Sequence, residues 1–231
     1  MKTKLIVFSI IGFFTVFLGA VIFASTNQTA AADDIFIQNK DVKLTAEEMN
    51  GRYNFDPAHS NIGFRIKHMG LAEVPGSFTD YTGTINYNAS DVTKSSVEFT
   101  AKVASINTAV EARDKHLRTA DFFEVDKYPE MAFKSTKIEK KGRDQFSATG
   151  DFTLKGVTKQ ISLPFTINGF LKDQRGGIKL GVSALTTINR RDYGINYGGL
   201  LDNGIQMLSD DVQINLQIEA AKQIPKSEAT K

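Results

Sequence analysis

The chain has 231 residues and a formal charge of +2, and this excess comes from Lys2 and Lys4, because no other charged residue precedes Asp33. Beyond residue 32, basic and acidic side chains balance, so the surface offers no long-range attraction to nucleic acid, and we expect no nucleic-acid partner. There is no cysteine, which excludes disulfides, thiolate metal ligands, a cysteine nucleophile and a lipidated cysteine anchor.

The N-terminal segment carries an unbroken apolar run, residues 5–24, directly after the two lysines. A charged start followed by an apolar run is typical of a secretory signal peptide, and Ala30 and Ala32 form a small-x-small motif before Asp33. At 1.5 Å per residue the run would also span roughly 30 Å, the thickness of a bilayer core. Residues 1–32 are therefore predicted to be a signal peptide or an N-terminal membrane anchor, and both alternatives predict export of the body.

The next segment, residues 33–51, is polar apart from one short apolar patch and is predicted to be a linker. Residues 223–231 are likewise polar and are predicted to be a disordered tail. The folded domain is thus expected to cover residues 52–222.

Strict alternation of apolar and polar residues dominates that domain. This period is typical of antiparallel strands with one buried and one solvated face. The alternating segments are, in chain order, residues 61–68, 83–89, 96–106, 145–156, 159–169, 177–188 and 211–220.

About eight long strands with hardly any helix indicate a sandwich or a closed barrel. The length of the strands favours the barrel, because tilted strands that close on themselves enclose an apolar interior and leave no edge. We predict an all-β fold, an extended antiparallel barrel of about eight strands, with one short helical insertion near residues 110–127.

Phenylalanine dominates the inward positions, and two interpretations of the interior stay open. The first is a solid packed core, the usual role of such side chains. The second is an apolar cavity, because a barrel of this size can hold one elongated ligand. Small inward residues among the large ones are compatible with a hollow; they are Ala101, Ala148, Gly150 and Ala184.

The segment "RDKHLRTADFFEVDKYP", residues 113–129, concentrates charged residues before two phenylalanines. Arg113, Asp114 and His116 have a partial counterpart in Arg191 and Asp192. These charges either pair with one another across a barrel end, or bind the polar head of a ligand at the cavity mouth. The structural interpretation is favoured, because an arginine–aspartate pair leaves few donors free. Of the two phenylalanines that follow, one is expected to turn inward and the other to pack the helix.

Catalytic and metal-binding patterns are missing from the sequence. The three histidines, His59, His68 and His116, lack the HxH and HExxH spacings that bring imidazoles together on a metal. There is no G-x-S-x-G nucleophile motif either. We predict no catalytic residue, no metal site and no enzymatic activity; a metal-binding or hydrolytic protein is the distant alternative.

Five segments in the same order resemble the YceI family: "YNFDPAHSNIGFRIKHMGLAEVPGSF", "RDKHLRTADFFEVDKYPEMAFKS", "GDFTLKGVTKQISLPFTI", "NRRDYGINY" and "DVQINLQIEAA". The resemblance covers almost all of residues 52–222. It implies a lipocalin-like barrel exported to the bacterial periplasm (or outside the cell) that holds a polyisoprenoid chain, such as a polyprenyl or an isoprenoid quinone. Tyr53 stands where the family commonly has tryptophan and keeps an aromatic ring there.

The resemblance and the inward pattern together predict a carrier or sequestering protein with a long apolar ligand and no cofactor beyond that lipid or quinone. The membrane would be the ligand source, and residues 5–24 would tether the uncleaved form to the inner membrane. The oligomeric state is open, with a dimer included, and a solid-core structural or stress-response barrel without ligand is the alternative. The predicted ligand-binding residues are Phe64, Phe78, Phe99, Phe122, Phe133, Phe152, Phe165, Tyr193 and Ile195, and the predicted mouth cluster is Arg113, Asp114, His116 and Arg191.

Overall fold

Eleven β-strands and two short α-helices make up the computed structural model, which describes residues 44–223. Predictions for residues 1–32 and 224–231 lie outside these described residues, as does most of the predicted linker. None of the described helices is long and apolar enough to cross a membrane. The elements are α1 (Ala46–Met49), β1 (Gly51–Phe55), β2 (Asn61–His68), β3 (Ala72–Phe78), β4 (Tyr81–Tyr87), β5 (Ser96–Lys102), β6 (Ile106–Asn107), α2 (Glu111–Leu117), β7 (Glu130–Lys140), β8 (Gln145–Leu154), β9 (Val157–Lys172), β10 (Ile178–Asn189) and β11 (Leu208–Lys222).

Eight of these strands close into a barrel in the order β1, β4, β5, β7, β8, β9, β10, β11. The ring closes where β11 returns to β1, with Tyr53 opposite Lys222 and Phe55 opposite Ala220. Every pairing is antiparallel, and closure leaves no exposed edge on the ring strands. The predicted all-β barrel of about eight strands is confirmed.

The remaining strands extend the wall at one end of the barrel. β11 is long enough to pair with β1 near its C-terminus and with β2 along residues 208–217. β3 then pairs with β2, and the two-residue β6 pairs with β3. The helix α2 follows β6, and residues 194–207 lead into β11, so both segments lie at this end. We call this end the mouth.

The helix α1 lies against the opposite end, in residues that the sequence assigned to the linker. Its capping box joins Thr45 and Glu48, and the Glu48 carboxylate accepts from Lys172 Nζ at 2.9 Å. The backbone hydrogen bond from Thr45 and the contact with Lys172 lower the pKa of Glu48 to about 2. Tyr53, fully buried in β1, donates its hydroxyl to the Met49 carbonyl at 2.7 Å, and burial raises its pKa to about 12. The polar contacts therefore fix α1 to the barrel end.

The helical insertion is shorter than predicted, because α2 ends at Leu117 and the chain continues to Lys127 in turns. The N–H groups of Phe123 and Val125 donate to the carbonyls of Leu117 and Arg118, both at 3.1 Å, so the helix end is capped by a returning chain. Glu124 has a φ of 50°, which a continuing right-handed helix excludes. This turn brings the two phenylalanines of the segment over the barrel.

Candidate functional site: an apolar cavity under the mouth

The barrel is hollow beneath the mouth, where a cavity of about 370 Å³ opens between α2, the end of β2 and the segment before β11. This volume falls in the range of roughly 300–1,000 Å³ that small-molecule sites occupy. We call it the outer cavity. Most of its lining is apolar and comes from both the ring and the mouth; it includes Ile62, Ile66, Val74, Met131, Leu154, Ile188, Leu208, Val212, Ile214 and Leu216. Of the two interpretations of the interior, a solid core and an apolar cavity, the structure therefore agrees with the cavity.

Most of the predicted ligand-binding residues line the outer cavity. A second, inner cavity of about 70 Å³ lies deeper in the barrel. Phe133 and Phe165 line the inner cavity, whereas Tyr193 lies outside both linings, buried edge-on against Phe152 with ring centroids 5.5 Å apart. The predicted residues that line the outer cavity are Phe64, Phe78, Phe99, Phe122, Phe152 and Ile195.

Three aromatic rings cover part of the mouth. His116 lies edge-on to Phe122 and to Tyr197, with centroids 5.1 and 4.9 Å apart, and Phe122 lies 4.6 Å from Tyr197. All three line the outer cavity, and the His116 and Tyr197 side chains are about two-fifths exposed. His116 Nε2 is 2.7 Å from the Asp121 carboxylate, which orients the ring. We call His116, Phe122 and Tyr197 the aromatic cap.

Phe123 also lines the outer cavity, edge-on to Phe78 at 6.1 Å. The expectation that only one of the two adjacent phenylalanines turns inward is therefore wrong. The turn after α2 presents both rings to the same apolar space, because the backbone there is not helical.

Arg113 and Asp114 are held by Thr108 and not by each other. Arg113 Nε donates to Thr108 Oγ1 at 2.7 Å, and Arg113 Nη2 donates to the Thr108 carbonyl at 2.8 Å. The buried Asp114 carboxylate accepts from the Thr108 backbone N–H at 2.9 Å and from its hydroxyl at 2.5 Å. Arg113 lines the outer cavity, whereas Asp114 faces the loop that it orders. Thr108 thus fixes the start of α2 at the mouth.

The second charged motif has partners of its own. Arg191 Nε donates to Asp210 at 2.5 Å, and Asp192 pairs with Lys159 at 3.0 Å. The predicted pairing of Arg113 and Asp114 with this motif across a barrel end is therefore wrong. The local backbone is the reason, because Arg190–Tyr193 form a short 3-10 helix after β10, in which Arg190 is buried and Arg191 lies partly exposed beside Asp210.

Arg190, which was not among the predicted site residues, lines the outer cavity together with Arg113. Its side chain is 3 % exposed. Nη1 donates to the Ile195 carbonyl at 2.7 Å and Nε donates to the Ser209 carbonyl at 2.9 Å, with Asp210 within 3.3 Å of Nη2. Burial and the neighbouring Arg191 lower the pKa of Arg190. The alternation along β10 does not predict its burial, because β10 ends at Asn189 and Arg190 begins a short 3-10 helix.

Asp210 connects the two arginines. Burial by itself raises the pKa of this carboxylate, but hydrogen bonds from Arg191 and Gln206 and the charges of both arginines outweigh burial and hold the pKa below its usual range. Asp210 therefore stays ionised and ties the start of β11 to the segment after β10.

His68 and His116 both line the outer cavity, whereas His59 belongs to a cluster outside it. Ligand atoms of Asp56, His59 and Glu219 lie within 4.8 Å of one another, a spacing compatible with a metal ion. The Lys179 ammonium donates to Glu219 at 2.5 Å and lies 3.8 Å from Asp56, so a side-chain cation already pairs with both carboxylates. We assign no metal to it.

A closed antiparallel barrel with an apolar cavity beneath a partly polar mouth defines a lipocalin-like barrel protein. Comparison with known proteins then identifies the family. Residues 53–220 match the YceI-like domain, and the chain belongs to this family.

Relatives and solved structures agree with the assignment. A UPF0312 protein of Pseudomonas putida is 34% identical over 179 residues, which cover 77% of this chain and 90% of that protein. The crystal structure of a Campylobacter jejuni YCEI protein is similar with a TM-score of 0.60 at 35% identity, over 73% of this chain and 96% of the other. A polyisoprenoid binding domain from Saccharophagus degradans shares the fold with a TM-score of 0.56 at 15% identity, over 74% and 98% of the two chains.

Proposed function

We propose that this protein binds a long-chain isoprenoid lipid, such as a polyprenyl or an isoprenoid quinone, inside the barrel. The observation that carries the proposal is the outer cavity of about 370 Å³ with its apolar lining. A solid-core barrel would lack such a space, because protein interiors normally pack to crystal-like density. The shared fold with a domain described as polyisoprenoid binding supports this class of ligand.

The polar groups around the cavity favour binding over catalysis. The Thr108 hydroxyl is hydrogen-bonded to Asp114 and Arg113. The Arg190 guanidinium donates to backbone carbonyls and to Asp210. Such groups order the mouth and do not form a nucleophile with an adjacent base. We infer that the protein sequesters or carries its ligand unchanged.

Arg113 and His116 are the residues that we propose for the ligand's head group. The hydrogen bonds of Arg113 within the described residues use Nε and Nη2, which leaves Nη1 for an acceptor in the cavity. His116 lines the same cavity and is partly exposed. A carbonyl or a phosphate oxygen at the end of an isoprenoid chain would suit the Arg113 donor, and a terminal hydroxyl would suit His116 Nδ1, because Nε2 is bonded to the Asp121 carboxylate.

The energetics suit a carrier that exchanges with a membrane. Burying apolar carbons gives about 0.8 kcal/mol each relative to water, but in a bilayer the same carbons are already out of water. Exchange between bilayer and barrel is then close to neutral, which permits both loading and release. Large apolar side chains around the mouth support a membrane as the ligand source, because Leu71 is 87% exposed, Leu200 73% and Ile205 42%.

Lipid extraction tests the binding function directly. The protein, purified from its own host without detergent, is examined by native mass spectrometry and by organic extraction, and we expect a co-purifying isoprenoid. Val212→Trp, which fills the outer cavity, should abolish it, whereas Leu185→Trp on the outer barrel wall should retain it. An empty wild-type protein that also takes up no isoprenoid from vesicles would contradict the proposal and favour a structural barrel.

We also propose export to the periplasm, on the basis of the apolar run at residues 5–24. Cell fractionation of the full chain and of a variant without residues 1–32 tests this. The full chain should leave the cytoplasm, and the truncated form should remain there. Retention on membranes after a salt wash would favour an anchor, whereas release would favour a cleaved signal. A cytoplasmic full chain would contradict export.

A further inference from the structure

The interior of the barrel is divided into two compartments. Among the residues that the structure describes, the outer and inner cavities share only two lining residues, Phe99 of β5 and Leu216 of β11. These strands are separated in the ring by β4 and β1, so the two side chains project from different parts of the wall. Phe99 and Leu216 therefore form the boundary between the cavities, and we call them the partition.

The partition is held in place by the packing around it. Phe99 and Leu216 are 8% and 7% exposed. The Phe99 ring stacks on Phe133, with centroids 6.1 Å apart and planes 29° apart. Phe133 lines only the inner cavity, so it supports Phe99 from the inner side. A chain that enters at the mouth meets this pair of side chains before it can reach the inner cavity.

Aromatic rings lie at the far side of the inner cavity. Tyr87 lines that cavity and contacts Phe170, with centroids 4.9 Å apart, and Tyr53 lies edge-on to Phe170 at 6.1 Å. The inner cavity is thus the last apolar space along the path from the mouth before this aromatic layer. The length of chain that fits depends on whether the partition lets the chain pass.

We infer that Phe99 and Leu216 set the maximum length of the apolar chain that the barrel holds. This inference rests on the proposed lipid-binding function. In the wild-type protein a short chain fills the outer cavity, and a longer chain leaves its surplus at the mouth, where it remains exposed to water. Removing the Phe99 ring joins the two cavities and buries more of the long chain.

A competition experiment tests the inference. Wild-type protein and Phe99→Ala are equilibrated with phosphatidylcholine vesicles that contain farnesol, geranylgeraniol and solanesol in equal amounts. These prenyl alcohols share a head group and differ in length, and native mass spectrometry gives the fraction of protein that carries each. We expect Phe99→Ala to raise the ratio of solanesol to farnesol about tenfold. Phe99→Leu should raise the same ratio by a smaller factor. It provides a second test of the partition if the alanine variant does not fold.

Ala148→Leu provides the matched control. Ala148 is 1% exposed and lines only the inner cavity, so a leucine there fills that space and leaves both partition residues unchanged in identity. Alone it should leave the wild-type ratio unchanged, and combined with Phe99→Ala it should return the ratio to the wild-type value. Each variant is first checked for cooperative thermal unfolding.

Failure of this inference differs from failure of the proposed function. A wild-type protein that loads prenyl alcohols, together with unchanged length ratios in Phe99→Ala and Phe99→Leu, would overturn the length limit alone. An increase in Phe99→Ala that persists in the double variant would also overturn it, because the inner cavity would not be the space gained. A wild-type protein that loads none of the alcohols would overturn both.

Discussion

Arg113 and Thr108 are joined by two hydrogen bonds, from Nε to the threonine hydroxyl at 2.7 Å and from Nη2 to the threonine carbonyl at 2.8 Å. The same hydroxyl donates to the buried Asp114 carboxylate. One small side chain therefore fixes both charged residues at the start of α2. The consequence is a mouth in which Arg113 is oriented by the loop and still borders the cavity.

Replacing Thr108 by valine should destabilise the fold without changing its shape. Valine keeps the volume, but the buried Asp114 carboxylate loses its hydroxyl donor. Leaving a buried group under-satisfied costs about 2 kcal/mol of unfolding free energy. Urea denaturation measures this loss of unfolding free energy, and the dependence of the free energy on urea concentration should stay the same as in the wild type. Thr153→Val is the control, since that hydroxyl contact is exposed, and a loss as small as the control's would contradict the role of Thr108.

Arg190→Lys should be costly although it keeps the charge. A lysine cannot reproduce the planar set of donors that serves the Ile195 and Ser209 carbonyls. We expect a loss of about 3 kcal/mol, because hydrogen bonds from charged donors in buried sites are lost. Arg191→Lys, at a partly exposed arginine, is the control and should cost less than about 1 kcal/mol. Chemical denaturation of the two variants measures both losses of unfolding free energy, and equal losses would contradict the role of Arg190.

Glu48 should contribute to loss of stability in acid. Its pKa is lowered from 4.5 to about 2 by the Thr45 backbone hydrogen bond and by Lys172. In the unfolded chain this carboxyl takes up its proton at a higher pH than in the folded protein. Its contribution to stability is therefore present above pH 4.5 and is lost as the pH falls to about 2.

The variant Glu48→Gln isolates this contribution. The melting temperature of the wild type should fall more steeply across that pH window than that of the variant, which has no proton to bind at this position. Glu47→Gln, on the same helix, should keep the wild-type slope. Equal slopes in the wild type and Glu48→Gln would exclude a contribution from this carboxyl.

Tyr197→Ala should accelerate ligand release, provided that the proposed lipid occupies the cavity. The substitution removes the ring that contacts both His116 and Phe122, and so opens the aromatic cap. We expect transfer of bound prenyl alcohol to acceptor vesicles to be about tenfold faster, equivalent to about 1.4 kcal/mol off the barrier. Leu171→Ala, at an exposed position in the hairpin of β9 and β10, should leave the rate unchanged. A rate equal to that of the control would show that the cap does not limit exit.

The barrel could be predicted because alternation along a strand is a local property. The pattern of β11 places Val212, Ile214 and Leu216 on one face, and all three line the outer cavity. Side chains of a strand point alternately to opposite sides, so one buried face shows directly in the sequence. The long, regular strands were accordingly recognised.

The strands that were missed depart from that regularity. β3 contains Pro75 and Gly76, which are unfavourable in most strands, and β7 has a register shift between Ser135 and Lys137. In β3 the neighbouring β2 and β6 supply the pairing that the local sequence does not suggest. Tertiary pairing here outweighs local preference.

Residue partners at the mouth could not be derived from the sequence. Arg113, Asp114 and Thr108 lie close together in the chain, yet the choice of Thr108 over a direct charge pair depends on the loop geometry before α2. Likewise, Asp210 lies 19 residues from Arg191, and only strand pairing brings them together. Hydrogen bonds need specific distances and directions, which composition does not contain.

The sequence by itself therefore determined an all-β fold with a phenylalanine-rich interior, because burial on one face imposes a period of two, and the length of its strands favoured a closed barrel. Whether that interior is filled or hollow was decided only by the tertiary structure. The same inward side chains can meet or leave a space, depending on strand tilt and on which residues face each other across the barrel. Here they leave an outer cavity, an inner cavity and, between them, Phe99 and Leu216.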